Sequence, residues 1–212
     1  MLQQFPAVRL VALDLDGTLL NREGRILPRT REAIAAAVAH GVTVVAATGR
    51  PLGNLPPVVA QMPGLRYAIT SNGAAVWDLG ADPLSAVYSR YSNAAEHRTT
   101  EPVCLVRRLM AVETAREVFA VFMDYEGGMG VFSNGYSIKD QHSVDFMAAR
   151  LARLHSTEIR QPNDGRFLVV RDLNEWMSRH AHEVEKQCLF FEDQSLVPEA
   201  LARFRAVPGT EV

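Results

Sequence analysis

Residues 11–20 read VALDLDGTLL, and this stretch decides the fold assignment. An apolar run over residues 8–13, interrupted only by an arginine, delivers two carboxylates, Asp14 and Asp16, into a Gly-Thr turn. Such a run is typical of a strand buried on both faces of a parallel sheet. Ligands of open α/β sheets bind beyond the carboxyl ends of the strands, which is where Asp14 falls. The alternative interpretation is a strand that ends in an ordinary Asp-Gly turn.

The spacing of the two carboxylates suits phosphoryl transfer. A strand end can aim Asp14 at phosphorus while Asp16 stands beside the leaving oxygen. An alkoxide leaving group needs a proton, so an acid at position 16 favours phosphate esters as substrates.

A second apolar run, residues 42–47, also ends in polar groups. Thr48 supplies a hydroxyl, Gly49 lets the backbone approach a ligand, and Arg50 supplies a guanidinium. The proline that follows is tolerated in a first helical turn, whose N–H groups favour an anion.

A third apolar run, residues 67–70, leads into the sequence SNGA at 71–74. By itself Asn72-Gly73 is more typical of a turn than of a ligand site. Because the carboxyl ends of parallel strands lie on one side of a sheet, four side chains from the three strand ends are predicted to converge. They are Asp14, Asp16, Thr48 and Asn72.

The three strand ends together resemble the haloacid dehalogenase superfamily. DLDGT at 14–18 resembles its first motif and ATGR at 47–50 its second, while SNGA at 71–74 resembles the Cof-type phosphatases, whose cap is inserted after the third strand. The resemblance is close over roughly the first 80 residues and loose beyond them. It implies an α/β protein, with an incomplete Rossmann-like core built on a parallel sheet and an α+β cap domain.

The resemblance also implies roles for the first motif. Asp14 would be the nucleophile that forms an aspartyl-phosphate and would also bind Mg²⁺, with the backbone carbonyl of Leu15 as the second protein ligand. Asp16 would protonate the leaving alcohol and later activate water. Mg²⁺ fits the chemistry independently, because a hard cation offsets the repulsion between a carboxylate and a phosphate dianion.

The other two motifs would shape the substrate site. By the resemblance Thr48 would hydrogen-bond the transferring phosphoryl group, and Gly49, Arg50 and Asn72 would help to form the phosphate or substrate pocket. The implied substrate is a small phosphorylated metabolite, which the cap would select. A phosphomutase that keeps the phosphate on an intermediate is the nearest alternative among enzymes.

The resemblance places the amino-terminal part of the core at 1–81, the cap at about 82–206 and the start of a return to the core at 207–212. Within the cap the patterns of hydrophobicity and turns predict a series of elements. They are a strand at 83–91, a helix at 112–123, a hairpin of 128–132 and 136–139, a helix at 144–154 capped by Ser143, a turn at 163–165, a strand at 167–170, a helix at 173–179, a strand at 184–191 and a helix at 197–204.

Two motifs of the resembled family are not found. Its third is a lysine and its fourth an acidic loop, yet the only lysines here are Lys139 and Lys186, inside the inferred cap. We therefore expect the chain to end at Val212 while returning to the core. We also expect it to be a poor phosphatase, or an inactive binding or regulatory remnant, and to self-associate through an exposed first-strand edge.

Composition excludes some partners. The net charge of −2 and the isoelectric point near 6.3 give no reason to expect nucleic acid or an anionic membrane as a partner. No apolar stretch approaches the roughly 20 residues of a membrane span. Cys104 and Cys188 are far apart in sequence, which favours reduced thiols in the cytoplasm over a disulfide scaffold.

Overall fold

A computed structural model describes residues 7–88, 101–155 and 167–212. The chain divides into two compact units. The first unit comprises Met1–Arg50 and Leu55–Val106, and the second comprises Pro51–Asn54 and Arg107–Val212. The family-based division at residue 82 stays a prediction. Among the described residues, no helix combines the length and the apolar character that crossing a membrane requires.

The first unit is built on a five-stranded sheet with the strand order β1-β2-β3-β4-β5. The first three strands run parallel, and β4 is antiparallel to β3. The strands are β1 (Leu10–Asp14), β2 (Thr43–Ala47), β3 (Leu65–Thr70), β4 (Ala75–Asp78) and β5 (Val103–Arg107). The helices are α1 (Pro28–Ala39), α2 (Pro57–Ala60) and α3 (Pro83–Tyr88).

Strand β1 is an edge strand of the described sheet. Its residues alternate between exposed and half-buried, and Val8 and Leu10 are 64% and 56% exposed. The prediction that this strand is buried on both faces is therefore wrong. The reason is its position in the sheet, because among the described residues β1 pairs only with β2.

The crossover from β1 to β2 follows the sequence closely. Helix α1 begins at Pro28, whose fixed φ suits a first helical residue, and Gly41 follows its end with φ of +80°. Ile34 is the buried residue of this helix. Both ends of this helix are thus marked in the sequence, by Pro28 at its start and by Gly41 after its end.

The predicted strand at 83–91 is wrong as far as residue 88, where the structure has helix α3. Pro83 is the first helical residue, and the Asp82 carboxylate accepts a hydrogen bond from the Ser85 N–H at 3.0 Å. This arrangement caps the helix and outweighs the apolar character of the segment.

The second unit contains a four-stranded sheet with the order β8-β7-β6-β9. The strands are β6 (Gly127–Ser133), β7 (Tyr136–Asp140), β8 (Leu168–Val170) and β9 (Val184–Phe191). The helices are α4 (Val112–Met123), α5 (Gln141–His155), α6 (Leu173–His180) and α7 (Val197–Ala206). These elements agree with the predicted order, while the predicted turn at 163–165 lies outside the described residues.

The hairpin of β6 and β7 is confirmed. Asn134 and Gly135 have φ of +51° and +74°, as a primed turn requires. The predicted cap of α5 is wrong. Asp140, not Ser143, accepts the hydrogen bond at the helix start, from the Ser143 N–H at 2.8 Å, and the Ser143 hydroxyl accepts the N–H of Met129.

An aromatic cluster anchors the core of the second unit. The rings of Phe122 and Phe204 meet edge to face at 5.0 Å, and those of Tyr125 and Phe191 at 5.4 Å. All four side chains are at most 9% exposed. Burying one such side chain contributes about 1.5–3 kcal/mol, so this cluster is a main source of stability for the unit.

Candidate active site

The end of β1 presents the first carboxylate. Asp14 is the last residue of the strand, and its Oδ2 accepts a hydrogen bond from the Thr18 hydroxyl at 2.8 Å. Gly17 has φ of +83°, a conformation that glycine adopts without strain, and this reverses the chain between the two residues. Leu15 is fully buried beneath the turn. The sequence motif thus forms a tight loop in which one oxygen of Asp14 is held.

The second carboxylate is clamped by a guanidinium. Arg50 Nε and Nη2 donate to the two carboxylate oxygens of Asp16 at 2.8 Å and 2.7 Å. The Arg50 side chain is 19% exposed and that of Asp16 40%. Such a bidentate pair has a fixed geometry and is stronger than a neutral hydrogen bond. A carboxylate that accepts both bonds is ionised, so in this arrangement Asp16 has no proton to give.

The end of β2 contributes a buried hydroxyl. Thr48 is 6% exposed, and its Oγ1 accepts the N–H of Arg50 at 3.2 Å. Its own N–H donates to the Ile69 carbonyl at 2.9 Å, which ties it to β3. Because Asp14 pairs with Ala47 in the register of β1 and β2, Thr48 begins directly beside the first motif.

The loop after β3 completes the same edge of the sheet. Ser71 and Asn72 have φ of +53° and +58°, which is strained for residues with a side chain. Their N–H groups donate to the carbonyls of Arg50 and Thr48 at 2.9 Å and 3.2 Å. These bonds fasten the third loop to the second, and the strain is retained where the loops meet.

The structure therefore brings the three predicted strand ends together in the first unit. The geometric prediction of one common edge is confirmed by the Asp16–Arg50 pair and by the Asn72–Thr48 bond. The catalytic roles of these residues stay predictions. Sequence reasoning assigned no role to Thr18, although a hydroxyl four residues after a carboxylate, across a glycine turn, was a usable signal.

The Leu15 carbonyl is the one predicted metal ligand that fits poorly. It accepts the N–H groups of Leu20 at 2.8 Å and Thr18 at 3.4 Å, so its two lone pairs are used within the turn. Among the described residues, no group of three or more histidine, cysteine, aspartate or glutamate side chains could hold a metal. The oxygens of Asp16 face Arg50, which leaves the Asp14 carboxylate as the most suitable ligand of this site.

A single carboxylate oxygen is a small number of protein ligands for a metal ion, but Mg²⁺ is often bound in this way. This ion keeps several waters and is usually bound through one or two carboxylates together with substrate phosphates, rather than by a cage of protein ligands. The site therefore fits Mg²⁺ that binds weakly, or together with a phosphorylated ligand.

Comparison with known proteins agrees with the motifs. Residues 11–97 match the haloacid dehalogenase-like hydrolases. A 5-amino-6-(5-phospho-D-ribitylamino)uracil phosphatase of Bacillus subtilis is 41% identical over 71 residues, which are 34% of this chain and 28% of that protein. An HMP-PP phosphatase of Serratia proteamaculans is 38% identical over 78 residues, covering 37% of this chain and 28% of the relative. Each match thus spans less than a third of the relative.

The fold agreement extends further along the chain. The structure of a haloacid dehalogenase-like hydrolase from B. subtilis superposes with a TM-score of 0.66 at 17% identity. The superposition covers 94% of this chain and 67% of that one. At this identity the match concerns the fold, and it supports the α/β class and the order of the elements.

Proposed function

We propose that this chain, whose residues 11–97 match the haloacid dehalogenase-like hydrolases, is a member of that family and a Mg²⁺-dependent phosphatase of small phosphorylated metabolites that acts through an aspartyl-phosphate. The observation that carries the proposal is the meeting of Asp14, Asp16, Thr48 and Arg50 at one sheet edge. The two curated relatives described above are phosphatases by name, which supports the reaction class.

Asp14 is the nucleophile of this proposal. Thr18 holds Oδ2, so Oδ1 is the oxygen that attacks phosphorus. The Asp14 O–P bond forms as the ester P–O bond breaks, and Asp16 gives a proton to the departing alkoxide. Water then attacks the same phosphorus, Asp16 takes its proton, and inorganic phosphate leaves with Asp14 restored.

Asp16 can act as an acid only after Arg50 releases it, because the paired carboxylate carries no proton. A phosphate group is a competing partner for the guanidinium, since its oxygens match the same bidentate geometry. Substrate binding would therefore draw Arg50 to the phosphate and free the Asp16 carboxylate beside the leaving oxygen. Asp16 would then take up one proton, from solvent or from the monoanionic phosphate ester, and this is the proton that it gives to the alkoxide. Thr48, whose Oγ1 accepts from Arg50 N–H, keeps its own O–H to donate to the phosphoryl group.

Mg²⁺ would be held by Asp14 Oδ2, which keeps a second lone pair beside the bond from Thr18, and by waters and substrate oxygens. When bound, it neutralises negative charge on the phosphoryl group and so eases the approach of the Asp14 carboxylate. With so few protein oxygens, we expect its affinity for the substrate-free chain to be weak.

Two further proposals concern the cellular compartment of the chain and its self-association. Cys104 and Cys188 are both free thiols, which supports the cytoplasm as the compartment. The exposed edge of β1 supports self-association of the chain through pairing of this strand with a second copy.

A screen of phosphorylated metabolites tests the function. The chain is incubated with Mg²⁺ and each compound, inorganic phosphate is measured, and the protein is analysed by intact mass for a phosphoryl adduct on Asp14. We expect phosphate release that stops when Mg²⁺ is chelated, at a low rate for the reasons given above. Release that persists without Mg²⁺ would contradict the proposal, as would an adduct on another residue. Isomerised phosphate ester without free phosphate would indicate a mutase instead.

A further inference from the structure

The two lysines of the chain lie on one face of the sheet in the second unit. Lys139 is on β7 and Lys186 on β9, with β6 between them. Gly130 of β6 pairs with Cys188 of β9, and a methyl group built on Gly130 would lie 3.8 Å from Cε of Lys139. Cross-strand neighbours share a face, and side chains two residues apart point the same way. Lys186 therefore lies on the same face as Lys139 and Cys188.

Lys139 is a buried cation without a carboxylate partner among the described residues. Its side chain is 6% exposed, and its Nζ lies 5.2 Å from the centre of the Phe167 ring. Burial lowers the pKa of this amine from its ordinary value. A ring face attracts an ammonium group but does not neutralise it, and a buried charge is costly unless it is paired. Within the part of the chain that the structure describes, the charge of Lys139 is therefore not balanced by a carboxylate.

Cys188 does not supply the missing negative charge. Burial raises the pKa of its thiol, and this effect outweighs the opposite influence of the two lysines. The thiol is therefore neutral at pH 7. Its electrostatic interaction with both amines nevertheless shows that Lys139 and Lys186 lie around the same point of the sheet.

Gly130 is buried on this face but makes no close contact there. The nearest atoms to a methyl group built on it, which include Ser137 Oγ and Phe132 Cε1, are at 3.8 Å, an ordinary contact distance. Gly128, on the same face, differs because a methyl group there would come within 2.6 Å of the Phe146 ring of α5. Helix α5 thus packs closely on the face at Gly128, whereas the nearest atoms at Gly130 belong to side chains of the sheet itself.

We propose that Lys139 and Lys186 bind a small anion with phosphate or carboxylate oxygens above Gly130. The Ser137 hydroxyl, on the same face and 3% exposed, is a neutral donor for the same ligand. Lysines act as point charges that suit a multiply charged oxyanion, and such an anion supplies the counter-charge that no carboxylate of the described residues gives to Lys139. This binding site stands apart from the chemistry proposed for Asp14, and either proposal can fail without the other.

Because the chain has only two lysines, a label on lysine amines reports on this site specifically. Reductive methylation with ¹³C-formaldehyde keeps the charge of each amine and places probes on two lysines and the chain's α-amino group only. The full chain is titrated with inorganic phosphate or with citrate, each against sodium chloride at equal ionic strength. We expect saturable shifts of both lysine signals. A response to phosphate alone or to citrate alone identifies the oxyanion, and a response to both identifies the shared chemistry.

Thermal unfolding gives a second measurement without labelling. A ligand that binds the folded state raises the melting temperature, and we expect Lys139→Met to weaken the apparent affinity about tenfold or more. Arg205→Met, which removes an exposed cation from α7 of the same unit, is the matched control and should leave the shift unchanged. Lysine signals that move no further with phosphate or citrate than with chloride would overturn the proposal. So would an unchanged anion response in Lys139→Met.

Discussion

The two units hold their charged groups in different ways. In the first unit the charges lie at strand ends, where loops fasten them: Asp14 to Thr18, and Asp16 to Arg50. In the second unit Lys139 lies within a strand on a sheet face, buried and without a carboxylate partner among the described residues. The first arrangement is preorganised, and in the proposed mechanism it must open before Asp16 can give a proton. The second keeps an amine buried beside an aromatic ring and a neutral thiol, at a cost in stability.

The largest expected effect concerns the loop-held nucleophile. Asp14→Asn should abolish phosphate release, because an amide cannot form the aspartyl-phosphate. Phosphate release in the metabolite screen and intact mass, which excludes deamidation back to aspartate, are the measurements. Glu23→Gln, which neutralises an exposed carboxylate nearby, is the control and should keep full activity. An Asp14→Asn protein with near-normal turnover would disprove covalent catalysis at this residue.

The next effect tests the clamp on the second carboxylate. Asp16→Asn should slow turnover by about 10²–10⁴-fold, the usual contribution of general acid–base catalysis. Arg50→Lys keeps the charge but loses the bidentate geometry, and we expect kcat/KM to fall by about 10–100-fold. Steady-state kinetics on the best substrate of the screen measures both. If Arg50→Lys behaved like the unmodified chain, Arg50 would have no part in substrate binding.

The candidate site of the first unit could be predicted from the sequence better than that of the second unit, because its residues lie in short sequence motifs. Asp14-x-Asp16-Gly and Thr48-Gly-Arg50 are short motifs at strand ends, and the parallel topology brings such ends together. An exposed edge at β1 was expected. What the sequence did not reveal was the exposure of the faces of this strand, since an apolar run is the same in a central strand and in an edge strand. Neither did it reveal the Asp16–Arg50 pair, which joins residues 34 positions apart.

In the second unit the helices and strands could be predicted from the sequence, but the lysine site could not. The Asn134-Gly135 turn and the apolar spacing of α4 fixed the hairpin and the helix. Lys139 and Cys188 lie on different strands, and no local pattern indicates that they share a face. At α3 local capping by Asp82 and Pro83 outweighed the strand-like composition, so the competing signal was present but was given too little weight.

A smaller effect tests the cost of the unpaired lysine. Lys139→Met should raise the melting temperature at pH 7 by a few degrees at most, since it removes a buried charge and keeps an apolar chain. Because burial lowers the pKa of Lys139, the unfolded chain binds more protons, and the stability of the unmodified chain rises as pH increases toward the ordinary lysine value of about 10.4. The advantage of Lys139→Met should therefore shrink with rising pH. A variant that is less stable at pH 7 would show that the lysine is already compensated.

The smallest effect concerns the edge of the first sheet. Leu10 is 56% exposed on β1, whose outer edge has no partner among the described residues, and two copies can pair such edges about a two-fold axis. Sedimentation velocity over a range of concentrations should detect dimers that Leu10→Lys reduces, because a lysine on an edge strand opposes pairing. Leu27→Lys is the matched control, since Leu27 is 55% exposed but lies outside the strands. An equal fall in the dimer fraction of both variants would show that general hydrophobicity, rather than strand pairing, drives association. An unmodified chain that stays monomeric at every concentration would show that the edge does not self-associate.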